Sequence, residues 1–356
     1  MLQIVNHTRL AAGLSLGLDP WGRELLTVVA KGAFGLPASG GAPWPAEEPA
    51  VVLAADVHHG DPAASSVRHP ADLVLGKRGT DVVLVGSAHA PGGRPVHRLE
   101  ASLRVGPLAR GVVVTGDRAW AARGYGTGFE TTPPARFATM PLLYERAYGG
   151  RDDGAEGGAT WDERNPVGTG FRTRAEGVEG TPVPNVEDPA HLVADWRDRP
   201  PVAGFGAIDG AWAPRRRHAG TYDARWQRTQ APLLPTDFDV RYFHVAAPGL
   251  TAEGFLRGRA EVELVNLTPG PDVQAGGATR RAFELPIAEV AMAFRIGDAT
   301  TRHRAELWTV LLEPDRGIVT LAWGCTVPVG KQPALAYEVA VTVDGAMRGA
   351  LAAAAC

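Results

Sequence analysis

The densest run of groups able to do chemistry in this chain is Asp56-Val-His58-His59-Gly-Asp61, with His69 and Asp72 just downstream. Imidazole nitrogens and carboxylate oxygens are ligands for Zn²⁺ and other divalent ions. His58, His59 and His69 would therefore suit a metal-dependent hydrolase. The spacing matches no established ligand motif, however, and no His-Glu-x-x-His occurs. Structural or surface histidines are the more economical reading. Two glycine-rich runs, Gly124-Tyr-Gly126-Thr-Gly128 and Asn165-Pro-Val-Gly168-Thr-Gly170, could cradle a phosphate. Neither leads into a capped amphipathic helix and no Walker lysine follows, so tight loop geometry explains them better. Ser65-Ser66 lacks the Gly-x-Ser-x-Gly setting of a nucleophile elbow. Tyr144-Glu-Arg146 could supply acid–base groups. An aromatic with a salt bridge, orienting the turn at Gly149-Gly150, is simpler. Asp81 beside Lys77 and Arg78 reads as a buried ion pair at a strand start. Arg215-Arg-Arg-His218 is the one local basic cluster, and it could dock an acidic partner or phosphate, or form a solvated loop face.

The elements that would position these groups are mostly strands. Gln3–Val5, Ala11–Leu18 and Leu25–Phe34 read as strands, the last two joined by the turn Asp19-Pro-Trp-Gly-Arg23. Leu14, Leu16 and Leu18 alternate with small residues, the period of a half-buried strand. Val51–Ala55, Asp81–His89, Val96–Val105 and Gly111–Gly116 follow, broken at Pro91-Gly-Gly93 and Gly106-Pro107. Residues 119–236 differ in texture. Glycine and proline are frequent, helical periodicity never lasts three turns, and tryptophans at 120, 161, 196, 212 and 226 punctuate the stretch. An ordered excursion pinned to the sheet by its aromatics is expected. Strand texture returns at Phe238–Val245, Gly258–Asn266, Glu289–Ile296, Glu306–Glu313, Ile318–Thr326 and Leu335–Val343, with a hairpin turn at Glu313-Pro-Asp-Arg-Gly317. The Ala-rich tail 346–356 could be helical. This is a mainly β chain: an antiparallel β-sandwich or barrel-like set of sheets with a loop-rich centre and few short helices. One domain over 1–356 is expected, β-rich in 1–118, loop-rich in 119–236 and β-rich in 237–345.

Composition narrows the function classes. The 356 residues include 45% hydrophobic and 21% charged side chains, so a packed core is expected. A net charge of -3 argues against general nucleic-acid affinity, and no basic run would hold an anionic membrane. No apolar stretch approaches the roughly 20 residues of a membrane helix, and Met1-Leu-Gln-Ile-Val-Asn-His-Thr does not read as a secretory signal. With only Cys325 and Cys356, a disulfide scaffold is not expected; reduced thiols suit a cytoplasmic location. Of 36 basic Lys and Arg residues only Lys31, Lys77 and Lys331 are lysine. Genomic base composition accounts for that bias, as would a need for planar, bidentate contacts.

Ordered short blocks run through roughly residues 1–270: Val5-Asn-His-Thr8, Val28-Val-Ala-Lys31, Gly60-Asp-Pro62, Thr80-Asp-Val-Val-Leu-Val-Gly-Ser-Ala88, Pro91-Gly-Gly-Arg-Pro95, Met140-Pro-Leu with Tyr144-Glu-Arg-Ala147, Asn165-Pro-Val-Gly168, Pro200-Pro-Val-Ala-Gly-Phe205, Trp212 with Pro214-Arg215, and Tyr242-Phe-His with Ala246-Ala-Pro248. In these blocks the chain resembles a bacterial domain family, long labelled as of unknown function, found in type VI secretion clusters. The C-terminal part departs from the pattern: Gly324-Cys325 stands where the family strand usually ends in Trp-Arg. The resemblance implies a cytoplasmic adaptor or chaperone that helps load a toxic effector onto the secretion spike. Its partners would be a protein effector, a PAAR-type tip or the valine-glycine-repeat spike protein. No catalytic residue, cofactor or metal is carried over from it, and composition gives no nucleic acid or membrane partner. Aromatic and arginine anchors dominate protein interfaces. The candidates for partner binding in the loop-rich centre are therefore Trp161, Trp196, Trp212, Arg215, Arg216, Tyr222 and Trp226. A metal-dependent hydrolase and a structural component of the secretion apparatus are the alternatives.

Overall fold

The structure is a computed structural model that describes residues 2–37, 41, 43–124, 128–257, 259–270, 277–329, 337–344 and 351. It is mainly β, built of several mostly antiparallel sheets, and no sheet closes into a barrel among the described residues. The largest sheet is centred on Glu24–Gly35 and Ile318–Pro328, which pair antiparallel from Gly35↔Ile318 to Leu25↔Pro328. Both strands are buried over most of their length, which is why they read as continuous apolar runs rather than alternations. Ala11–Leu18 flanks one side; Glu306–Glu313 flanks the other and receives Asp81–Leu84 in parallel, with Asp81 opposite Thr309.

A second sheet runs Val186–Glu187, Leu108–Thr115, Arg98–Val105, Glu261–Val265 and Arg280–Glu284. Its first long hairpin turns at Gly106, whose φ of 54° is one glycine adopts without strain. In the third sheet Leu2–Asn6 lies parallel to Tyr337–Asp344, which pairs with Glu289–Ile296 and through it Ala299–Arg304. One apolar cluster joins inward-facing residues of all three sheets, among them Val28, Val262, Leu264, Met292, Phe294 and Leu321.

Several expected elements came out differently. Val51–Ala55 is no strand: Leu53 is held at both ends of its peptide by Asp72, whose Oδ2 accepts from the Leu53 N–H and whose own N–H donates to the Leu53 carbonyl, each at 2.8 Å. Phe238–Val245 is a 3₁₀ turn at Val240–Phe243, because Phe238, Tyr242 and Phe243 pack their rings on one another 5.4–5.8 Å apart. Asp81–His89 is two strands, Asp81–Leu84 and Ser87–His89. Ala299–Arg304 and Arg280–Glu284 were not anticipated. The tail 346–356 lies outside the described residues except for Leu351. Between 119 and 236 the described residues form short strands, a 3₁₀ turn at Tyr144–Arg146 and two short helices, Ala213–Arg216 and Ala224–Thr229. Trp120 and Trp196 are buried there with Val178, Val183 and Val193 in a small core of the excursion's own; of the tryptophans, Trp212 joins the main core with the sheets, and Trp161 is exposed.

Trp308 explains the departure at Gly324. A β-carbon at 324 would lie 2.3 Å from the Trp308 ring, so glycine is what lets the indole lie across the sheet beside Val29 and Ala322.

Candidate functional site

The geometry of the chain's concave surface begins with Asp81. Its side chain is fully buried, and the Lys77 ammonium, 2% exposed, donates to Oδ2 at 2.6 Å. The expected ion pair at the strand start is therefore present. Asp81 also accepts from the Val245 N–H at 3.0 Å and the Thr251 hydroxyl at 2.8 Å, and His244 Nδ1 lies 3.0 Å from Oδ1. The Arg78 N–H donates to His244 Nε2 at 3.3 Å, which places the imidazole proton on Nδ1. Burial alone would raise the Asp81 carboxyl; the Lys77 charge and the His244 hydrogen bond outweigh it and hold the group well below the usual carboxylate range. These contacts fasten 244–251, a segment with no regular structure, to the edge of the largest sheet.

That segment forms one wall of a groove. Two cavities, of about 470 and 450 Å³, share Ile208, Pro214 and Pro248 and so meet across them. The first is lined by Arg78, Arg215, Arg217, His218 and Arg241, the second by Arg110, Arg164, Arg199, Tyr144 and Trp212. The only carboxylates in the two linings are Glu253 and Asp188. The walls are tied together by arginines that donate to backbone carbonyls. Arg110 bridges Pro248 O (2.6 Å) and Val202 O (3.1 Å). Arg215, itself buried, bridges Tyr242 O (2.9 Å) and Ile208 O (2.8 Å), with Asp56 3.9 Å away. Arg199 donates to the Trp196, Asp198 and Arg172 carbonyls. A carbonyl satisfies the donor and leaves the charge in place. Arg78 and Arg217 face no carboxylate among the described residues; Arg217 Nε donates only to His218 Nε2, at 3.1 Å. Burial, then the charges of Arg241 and Arg217, keep the His218 imidazole below its ordinary pKa. Arg164 and Arg241 differ, each held two-pronged by a carboxylate, Asp162 and Asp239.

Tyr144 and Trp212 form the apolar floor at one end, their rings in edge contact at 5.4 Å. Tyr144 lies flat against Gly204, where a β-carbon would come within 2.9 Å of the ring, and its hydroxyl donates to Gly206 O at 3.1 Å. The expected Glu145–Arg146 salt bridge is absent. Glu145 instead accepts from the Ser66 N–H and hydroxyl, at 2.8 and 2.7 Å, while Arg146 reaches Asp117 and Asn185. The Gly149-Gly150 turn is oriented by Asn165, which donates to the Tyr144 and Tyr148 carbonyls and would collide with a β-carbon at Gly149.

Among the partner-binding candidates, Trp212 and Arg215 line the groove. Trp196, 8% exposed, is spent on the small core of the excursion, in edge contact with Phe129 and under the Arg197 guanidinium. Trp161 is 45% exposed on a two-residue strand, Arg216 pairs with Glu163 at 2.8 Å, and the edge-packed Tyr222 and Trp226 sit at the helix Ala224–Thr229, Tyr222 54% exposed. None of these five lines either cavity of the groove. Sequence reasoning missed Arg78, Arg110, Arg199 and Arg217 as a set. Of the four only Arg199, in Arg199-Pro-Pro201, adjoins a proline of the kind that lines the groove; the others carry no local signal.

The histidine candidates do not converge. His58 pairs with Asp209 at 3.0 Å and His69 with Glu313 at 3.1 Å, while burial holds the His59 imidazole below its ordinary pKa. Asp72 is taken by Lys31 at 2.7 Å, and Asp56 accepts from the Ala71 N–H. No group of three His, Cys, Asp or Glu side chains among the described residues could hold a metal ion. Gly124-Tyr-Gly126-Thr-Gly128 lies mostly outside the described residues. No helix is long and apolar enough to cross a membrane.

Residues 21–324 match a family described as an uncharacterized protein conserved in bacteria, DUF2169. The chain belongs to this family. The match takes in every residue named for the groove, so the groove is part of the DUF2169 unit. No curated protein and no solved structure matches the chain.

Proposed function

We propose that this member of DUF2169 is a non-enzymatic adaptor or chaperone that binds a protein partner. The observation that carries the reading is the groove: an open surface with proline and aromatic residues in its floor, four of whose seven arginines meet no carboxylate among the described residues. Aromatic and arginine side chains around an apolar centre are the composition of interface hot spots. The more specific proposal is that the partner is a type VI secretion effector, delivered to a PAAR-type tip or valine-glycine-repeat spike protein from the cytoplasm. It rests on the resemblance of blocks such as Thr80–Ala88, Met140–Gly150 and Pro200–Phe205, and the segments they occupy build or brace the groove.

Affinity capture with the tagged full chain, against the products of neighbouring genes, tests both levels. A toxin or tip protein captured in stoichiometric amount is the expected result. Capture of no protein by the folded chain removes the adaptor reading, and capture of an unrelated protein removes the secretion assignment. Presence of the chain in assembled secretion particles, rather than in the cytoplasmic fraction, would favour a structural component.

A further inference from the structure

We infer that the groove receives an acidic, extended segment of the protein partner, with carboxylates on the arginines and apolar side chains on the shared floor. This deepens the adaptor reading above and rests on it. Three observations point to this occupant.

Charge comes first. The chain as a whole is at -3, yet the groove linings hold seven arginines against Glu253 and Asp188. Asp188 is already engaged by His191 Nδ1 at 3.1 Å. Arg164 and Arg241 are neutralised by Asp162 and Asp239, but Arg78, Arg110, Arg199 and Arg217 have no carboxylate within ion-pair distance among the described residues. Their positive potential faces a concave, low-dielectric surface, where it is focused rather than screened.

Donor capacity comes second. Arg110 has both terminal nitrogens on carbonyls and offers its charge alone. Arg78 and Arg217 are exposed with terminal guanidinium nitrogens unused. Guanidinium forks bind carboxylates two-pronged, with both geometry and charge in their favour.

Shape comes third. The two lobes have Ile208, Pro214 and Pro248 in common, so charged sites lie on both sides of an apolar saddle. Prolines have no N–H to donate, so the saddle itself favours side-chain packing over strand pairing. A compact anion such as phosphate would use one lobe only. A nucleic acid would offer regularly spaced phosphates but little that fits an apolar saddle between them. An extended peptide with acidic residues flanking leucine or valine matches all three features.

Fluorescence anisotropy on the purified full chain tests the assignment, with a short labelled peptide of Glu and Leu as the probe. The expected result is saturable binding that weakens as salt rises, with a Gln-for-Glu peptide far weaker. Arg78→Ala and Arg217→Ala should each cost about tenfold in affinity. Substituting the exposed Arg94 and Arg98, which line neither lobe, should cost nothing. Should the acidic peptide fail to bind, or should both groove variants bind it like the parent, the inference is overturned. It is equally overturned if inorganic phosphate or a single-stranded oligonucleotide competes as well as the unlabelled peptide does. Affinity capture separates this failure from that of the adaptor reading. A protein partner held equally by parent and Arg78→Ala/Arg217→Ala chains removes the groove assignment and keeps the adaptor. A chain that binds the peptide in the groove but captures no protein does the opposite.

Discussion

Two cation-lined regions of this molecule use their charges in opposite ways. Against the face of the largest sheet lies a pocket of about 220 Å³ lined by Lys31, Glu48, His69, Glu313 and Arg316. Both permanently charged cations there meet carboxylates: Lys31 meets Asp72, and Arg316 meets both Glu313 and Glu48, while the His69 ring lies 3.1 Å from Glu313. In the groove on the loop-rich side, four arginines meet carbonyls, an imidazole or solvent instead. The comparison teaches how to tell scaffold from recognition surface when both are polar. A charge compensated within the fold contributes to stability and register. A charge whose hydrogen bonds are satisfied but whose sign is not remains available to a partner. Lys31 and Lys77, the two lysines described, both fall in the first class. Both described ammonium groups sit in buried pairs, and the uncompensated charges of the groove are all guanidiniums.

Breaking a compensated pair should give the largest effects. Asp81→Ala would leave the Lys77 ammonium, the Val245 N–H and the Thr251 hydroxyl without their acceptor in a fully buried site. A loss of about 3–5 kcal/mol in urea unfolding is expected, with the 244–251 wall loosened as well. Glu313→Gln keeps shape but removes the charge that His69 and Arg316 share, and a smaller loss of about 1–3 kcal/mol should follow. Both carboxyls are held below their ordinary values, Asp81 by Lys77 and His244 and Glu313 by His69 and Arg316, against burial that would raise them. A depressed carboxyl contributes its full stability above its unfolded pKa and loses it as the pH falls through the folded one. The urea midpoint should therefore hold above roughly pH 5 and drop below about pH 4, and Asp81→Asn should flatten that drop. The uncompensated side of the comparison predicts the smallest change in stability. Arg78→Ala and Arg217→Ala should each move the urea midpoint by no more than about 0.5 kcal/mol equivalent, because nothing in the fold depends on their charge. A large destabilisation by either would erase the distinction between the two regions.

Much of the scaffold was legible because it is locally encoded. Ala11–Leu18, Glu289–Ile296 and Glu306–Glu313 have the bounds that their residue patterns suggest, and Gly317, at φ 66°, closes the hairpin turn read from Glu313-Pro-Asp-Arg-Gly317. The Lys77–Asp81 pair was readable because its members are four residues apart. The groove was not, because the ties that bring its walls together span the chain: Arg110 to Pro248, Asp81 to Val245 and Tyr144 to Gly206. Tryptophan count misdirected the search for anchors in the same way. Trp196 and Trp212 look alike in sequence, but one closes a small core and the other floors the groove.

The most direct test of the central claim is the affinity of the Arg78→Glu/Arg217→Glu chain for the protein that co-purifies with the parent. Reversing two uncompensated charges should weaken that complex by about a hundredfold or more, with the urea midpoint nearly unchanged. A variant that unfolds like the parent and still holds its partner at the parent's affinity would contradict the account.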